Sequence, residues 1–176
     1  MSKAIYIEDN LFDKTIIDNE RYTVRVIIKN KDNLFGYIYI NGEDIFGYRD
    51  HIESSGGGIE EGETDEDAVK REVLEELGCT CEIVAFIGQI VHDFNLLKRR
   101  TYANYYYVEV IDENLETNLT SLEKTLFKGI IWKNLVDIKN KLNMETSKVG
   151  MLVHKRELIA IELYEKYIKK NGGQNE

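Results

Sequence analysis

Apolar, β-branched and aromatic residues dominate residues 21–29 (RYTVRVIIK) and 35–40 (FGYIYI), while residues 30–33 between them are Asn, Lys, Asp and Asn. This pattern predicts two strands of a central sheet joined by a polar turn. A further turn is expected at 41–44. Residues 80–91 and 101–111 read as two more strands, joined by a polar, basic loop that carries His92, Asp93, Lys98, Arg99 and Arg100. A polar, acidic loop over 114–124 then leads into a short strand at 126–132 and a helix at 135–142. Over 151–167 the spacing of Leu152, Val153, Leu158, Ile159, Ile161, Leu163 and Tyr164 predicts a helix with a broad apolar face, to be covered by the sheet or by a second subunit. An apolar patch at 4–7 predicts a strand or hairpin within residues 1–20, and the tail 171–176 is expected to fray. No repeat or linker divides the chain, so a single domain over 1–176 is expected.

The helix with the clearest boundaries lies at 65–77. Thr64 is a suitable N-cap with Asp67 three residues on, and Asp65, Glu66 and Asp67 place negative charge at the positive end of the helix dipole. Gly78 supplies the left-handed residue that commonly ends a helix. Ahead of it, Gly56, Gly57 and Gly58 form a glycine turn, approached through Ser54 and Ser55 in a chain without proline.

Composition narrows the class. A chain of 176 residues with 43% hydrophobic content suits one compact enzyme-sized core, and no apolar run approaches the ~20 residues of a membrane span. The net charge of −9 argues against a nucleic acid polymer as partner, because such a surface presents a basic footprint; a small nucleotide, met locally by metal and a few bases, fits better. Cys79 and Cys81 are too close for an ordinary disulfide loop and too few for zinc, which points to a reducing, cytoplasmic setting and to no membrane.

On a helix, Glu72, Glu75 and Glu76 fall within one arc, beside an apolar arc of Val69, Val73, Leu74 and Leu77. Three carboxylates crowd the negative end of the dipole, so a cation is needed there, and an all-oxygen cluster suits Mg²⁺, with Mn²⁺ as a substitute. Arg71 lies beside Glu75 and can pair with one carboxylate, but a side chain alone is not expected to suffice.

The stretch from Gly57 to Cys79 resembles the Nudix box, G-x5-E-x7-R-E-U-x-E-E-x-G-U, through Gly57, Glu63, Arg71, Glu72, Val73, Glu75, Glu76 and Gly78, with Cys79 where an aliphatic residue is usual. The resemblance implies an α/β fold, an α/β/α sandwich around a mixed sheet. It implies Mg²⁺-dependent hydrolysis of the pyrophosphate linkage in a nucleoside diphosphate linked to another moiety, in the nucleoside triphosphate or nucleotide-sugar class. By that resemblance Glu72, Glu75 and Glu76 are catalytic and metal-binding. Gly57 or Gly58 adds a backbone carbonyl, an acid from the 114–124 loop completes the cluster, and Gly57, Glu63, Arg71 and Gly78 hold the box together. Glu123 is the candidate fourth acid, with Glu116 and Glu113 as competitors. Lys98, Arg99 and Arg100 are candidates for substrate phosphates against the reading of a solvated loop. Tyr105, in the run Tyr105–Tyr107 that must alternate between faces, is a candidate ring for a base against the reading of core packing. A silent Nudix-like nucleotide-binding module and an isoprenoid diphosphate isomerase are the alternatives. The aromatic strand and the long apolar C-terminal helix suggest a homodimer.

Overall fold

The structure, a computed structural model, describes residues 4–45 and 47–172. Strands β1 (Ile5–Ile7), β2 (Asn19–Lys29), β3 (Phe35–Asp44) and β4 (Gly47–Glu53) precede helix α1 (Asp65–Leu77). Strands β5 (Thr80–Phe94) and β6 (Arg99–Asp112) follow, then α2 (Ser121–Leu126), β7 (Phe127–Lys133), α3 (Leu135–Leu142) and α4 (Lys148–Asn171). The sheet runs β1-β5-β6-β2-β3-β4, with β7 on β3. It is mixed: β1 is parallel to β5 and β2 to β6, while the other pairs are antiparallel.

Strand alternation sends side chains to two cores, one under helices α3 and α4 and one under α1. Ile27, Tyr37, Tyr105 and Tyr107 meet Ile138, Ala160, Ile161 and Tyr164 on the first face. Val24, Val26, Ile28 and Val108 meet Ala68, Val69, Val73 and Leu77 on the second. The expected sandwich of helices around a mixed sheet is the observed architecture. The apolar faces of α4 and of β6, which suggested a dimer, pack against the chain's own cores, with Leu158, Ile159 and Leu163 of α4 and Tyr106 of β6 only partly buried. No helix among the described residues is long and apolar enough to cross a membrane.

Three local expectations are corrected. Residues 41–44 continue β3 instead of turning, because β4 pairs them up to Asp44↔Gly47; Phe46 is outside the described residues. The loop expected between 91 and 101 shrinks to a 3-10 turn at Asn95–Leu97 plus Lys98 at φ 50°, since β5 and β6 pair out to Phe94↔Arg99 and the Asp93–Arg100 ion pair carries polar residues inside the ladder. Within the expected loop 114–124, Thr120 and Glu123 form a reciprocal capping box that starts α2. The expected frayed tail lies largely outside the described residues.

The feature that creates the cleft is a divergence of strands. β2 meets β3 only at Ile28↔Gly36 and Lys29↔Phe35. From Ile38 onward β4 takes over that same edge of β3, the opposite edge being held by β7. Into the gap between β2 and β4 the chain returns after β4 and lies along β2, with the amides of Val26, Val24 and Ile59 donating to the carbonyls of Ser55, Gly57 and Tyr22 at 3.0, 3.0 and 3.1 Å.

Candidate active site

Because the returning strand is held so close to β2, two of its glycines have no room for a side chain. A Cβ on Gly56, at φ 139°, would stand 2.1 Å from the Val24 carbonyl oxygen. One on Gly57 would stand 2.4 Å from Oε1 of Glu72, so the missing side chain lets the backbone reach a carboxylate of α1. The helix itself starts where Thr64 Oγ1 accepts from the Asp67 amide and ends at Gly78, at φ 59°.

Arg71 ties loop to helix. Its Nε and Nη2 donate to the two oxygens of Glu63, both at 2.8 Å, and Nη2 also donates to the Gly58 carbonyl at 3.0 Å. Nη1 reaches Glu72 at 2.7 Å and Glu75 at 3.4 Å. Only a planar fork serves that many acceptors at once. Arg71→Lys is therefore expected to lose about 1–3 kcal/mol of stability, read as a lower urea midpoint at unchanged slope; an unaltered midpoint would show that the fork holds nothing.

Glu72 and Glu76 face a cleft of about 360 Å³ together with Gly56, Gly57 and Gly58. Burial pushes the Glu72 carboxyl up, with Arg71 working against the shift. Burial pushes Glu76 further, to about 8, although Ser55, Arg25 and the Gly56 amide favour its charged form. Oε2 of Glu76 accepts from Ser55 Oγ at 2.7 Å and from the Gly56 amide at 2.8 Å, which leaves Oε1 to the cleft. Glu75 lies outside the cleft lining, half-exposed beside Arg71. Among the described residues no three His, Cys, Asp or Glu side chains already converge on one ion.

The donor chemistry nevertheless suits a hard divalent cation. Two carboxylates are held in a partly dry pocket against a backbone that a Cβ would obstruct, and a guanidinium nitrogen already bridges Glu72 and Glu75 where positive charge is required. Glu123 lines the same cleft from α2, with Oε2 engaged by the Thr120 amide at 2.7 Å. Glu113 and Glu116 do not line it.

The basic candidates separate. Arg99 lines the cleft. Lys98 does not, and its carbonyl accepts from the Asp18 and Asn19 amides. Arg100 is turned to Asp93, at 2.7 and 3.0 Å. Tyr105 is a correction: fully buried, with its hydroxyl donating to Glu157 at 3.2 Å, it is a core residue and presents no ring to a ligand. His92 lines the cleft, but burial and the neighbouring Arg156, Arg25 and Arg99 depress it to about 3, so it is neutral.

Most of the positive charge comes from residues that sequence reading passed over. Arg21 and Arg25 of β2, Arg49 of β4 and Arg156 of α4 all line the cleft. Burial works against the Glu53 carboxylate, yet Arg25, His51 and Arg156 hold it well below the usual range. The signal was present in part, since Arg21 and Arg25 share one face of an otherwise apolar strand and Arg156 interrupts an apolar helix face.

The model of the NUDIX domain matches residues 20–152, a span that includes the glycine return, the arginine fork and the carboxylates of α1. The chain belongs to the NUDIX family. Over 101 residues it is 35% identical to the RNA pyrophosphohydrolase of Sulfurovum sp. (strain NBC37-1), a match covering 53% of this chain and 64% of that protein, slightly under two thirds of its length. Over 108 residues it is 32% identical to the nucleoside triphosphatase NudI of Enterobacter sp. (strain 638), covering 56% of this chain and 75% of that protein. The fold is shared with a NUDIX hydrolase from Nitrosomonas europaea at a TM-score of 0.63 and 18% identity, over 83% of this chain and 88% of that one. NUDIX hydrolases generally use divalent metal ions. Neither alternative reading gains support: Cys79 and Cys81 are buried with thiols pushed up to about 11, and neither lines the cleft, whereas an isomerase would need a reactive thiol there.

Proposed function

We propose that this NUDIX protein is a divalent-metal-dependent pyrophosphohydrolase acting on the phosphoanhydride of a small nucleoside triphosphate or nucleoside diphosphate derivative. The observation that carries the reading is the meeting of Glu72, Glu76 and Gly57 in a cleft that five arginines also line. Acidic and basic groups in one site are what a polyphosphate requires, since its scissile phosphorus is surrounded by negative oxygens that repel an incoming water. Glu72, Glu76 and Glu123 are the residues to hold Mg²⁺ or Mn²⁺, with Glu75 joining once Arg71 yields it. The ion, when bound, screens the phosphate oxygens and acidifies water.

The chain's own groups supply the rest. Ser55 and Gly56 fix one oxygen of Glu76, so the other is presented in a single direction to accept a proton from the attacking water. Glu72, also oriented from one side, by Arg71, is the competing base. In the reaction one bond forms from water oxygen to phosphorus, the bond to the bridging oxygen breaks, and the water proton passes to the carboxylate. The net charge of −9 supports a small substrate over a polymer.

The test is incubation with Mg²⁺ and a panel of nucleoside triphosphates, nucleotide sugars and a 5′-triphosphorylated oligonucleotide, followed by chromatography. Nucleoside monophosphate as a product supports the reading. Ligands that bind and emerge uncut would make the chain a binding module, and cleavage confined to the oligonucleotide would overturn the small-substrate assignment.

A further inference from the structure

The five arginines of the cleft are not equivalent. Arg25 holds Glu53 at 3.0 Å, Arg49 holds Asp44 at 2.9 Å, and Arg156 holds Glu53 at 3.1 Å and Glu157 at 2.6 Å. Among the described residues, Arg21 and Arg99 hold no carboxylate, and Nε of Arg99 is buried without any hydrogen-bond partner. The charged groups that act on Arg99 are Arg21, Arg25 and Arg49, all of its own sign, and together with burial they weaken its hold on its proton.

Register puts the two unpaired guanidinium groups on one face. β2 pairs Arg21 with Thr101, and Arg99 lies two residues before Thr101 on β6, so both stand on the side of the sheet that also carries His92. The Arg21 guanidinium lies beside Gly58, with Nη2 3.5 Å from where a Cβ on that glycine would be, and so next to the loop that meets Glu72. A neutral His92 among these cations offers no compensation. Arg21 is exposed and feels Glu72 and Glu53 as well as Arg25 and Arg156, whereas Arg99 is half-buried among cations alone, so an anion bound between the two guanidinium groups would complete the buried one with the exposed one as its second arm.

We propose that Arg21 and Arg99 form a clamp for the terminal phosphate of the substrate, so that the cleft selects a nucleoside triphosphate over a nucleotide whose second phosphate ends in a neutral sugar. The clamp rests on the pyrophosphohydrolase reading for its place in turnover, but its anion affinity does not depend on that reading. A forked guanidinium pair matches the dianionic end of a triphosphate in charge and geometry, whereas a sugar hydroxyl leaves both cations unpaired.

The experiment is titration calorimetry with inorganic pyrophosphate in EDTA, where the carboxylates contribute nothing attractive. The wild-type protein is expected to bind. Arg21→Gln and Arg99→Gln are each expected to weaken binding by about ten-fold or more and the double variant to abolish it, while Lys98→Gln, from the same turn but outside the cleft, leaves it unchanged. Folding is monitored by thermal melts: Arg99 is removed from among cations and Arg21 from an exposed position with no hydrogen-bonded carboxylate, so the melting temperatures should not fall. In turnover with Mg²⁺, the two Arg variants should raise KM for a nucleoside triphosphate while kcat/KM for the nucleotide sugar of the same base is preserved. Equal pyrophosphate binding by wild type and double variant, no binding by wild type, or equal loss for both substrates overturns the clamp. A wild type that binds pyrophosphate in EDTA but hydrolyses nothing would leave the clamp standing and remove the pyrophosphohydrolase reading.

Discussion

Glu76→Gln is expected to cut turnover by about a thousandfold while making the metal-free protein more stable at pH 8. The two effects have one cause. Burial places the Glu76 carboxyl at about 8, well above an ordinary glutamate, so the folded chain keeps a proton that the unfolded chain has released. Stability from this group is complete below the ordinary glutamate range and is lost as pH rises to about 8, because over that window only the folded state still holds the proton. Gln retains the acceptor for Ser55 and Gly56 without the charge, so the variant should lack this slope. It should exceed the wild type at pH 8 by roughly 1–3 kcal/mol in urea unfolding with EDTA present. Mg²⁺ should recover stability for the wild type and much less for the variant. A variant that is as active as the wild type, or whose stability follows pH identically, would mean that Glu76 is neither ionised for catalysis nor costly to ionise.

Removing Arg156 is expected to have the largest effect on stability, about 3–5 kcal/mol for Arg156→Ala. Its guanidinium binds Oε1 of fully buried Glu157, which also accepts from Tyr105 while Oε2 has no hydrogen-bond partner, and it shares Glu53 with Arg25. Taking away the cation leaves the carboxylate of Glu157, on the buried face of α4, without a counterion. If that uncompensated charge is the cause, the double substitution Arg156→Met with Glu157→Gln should recover most of the loss, since a buried pair is often replaced at little net cost. Chemical denaturation of the two variants decides it. Equal destabilisation in both would assign the loss to packing instead of charge.

The parts of the molecule that could be read from sequence are those set by neighbours along the chain. Thr64 and Gly78 bound α1 because capping is decided within a few residues, and the glycine return with its arginine fork lies inside the stretch 57–79. The cleft is a different matter. Arg21, Arg25, Arg99 and Arg156 reach it from three elements far apart in sequence, and no local pattern says that β2 and β3 part after two residue pairs and leave room for them. Alternation along β6 established that Tyr105 and Tyr106 face opposite ways, but not which face lies under α4; that depends on packing at long range. The polar residues at 41–44 suggested a turn because composition there is local, whereas their pairing with β4 is not. The short helix α2 was expected as loop, although the reciprocal cap of Thr120 and Glu123 is a local signal that marks its start.

Phosphorus NMR of a nucleoside triphosphate incubated with the protein and Mg²⁺ tests the central assignment most directly. If Glu72 and Glu76 are the working carboxylates of a pyrophosphohydrolase, the triphosphate resonances decay with growth of monophosphate and pyrophosphate signals, and the double variant Glu72→Gln with Glu76→Gln leaves the spectrum unchanged. A wild-type chain that leaves both a nucleoside triphosphate and, in a parallel sample, a nucleotide sugar intact, or a substrate that disappears equally fast with the double variant, would contradict the account.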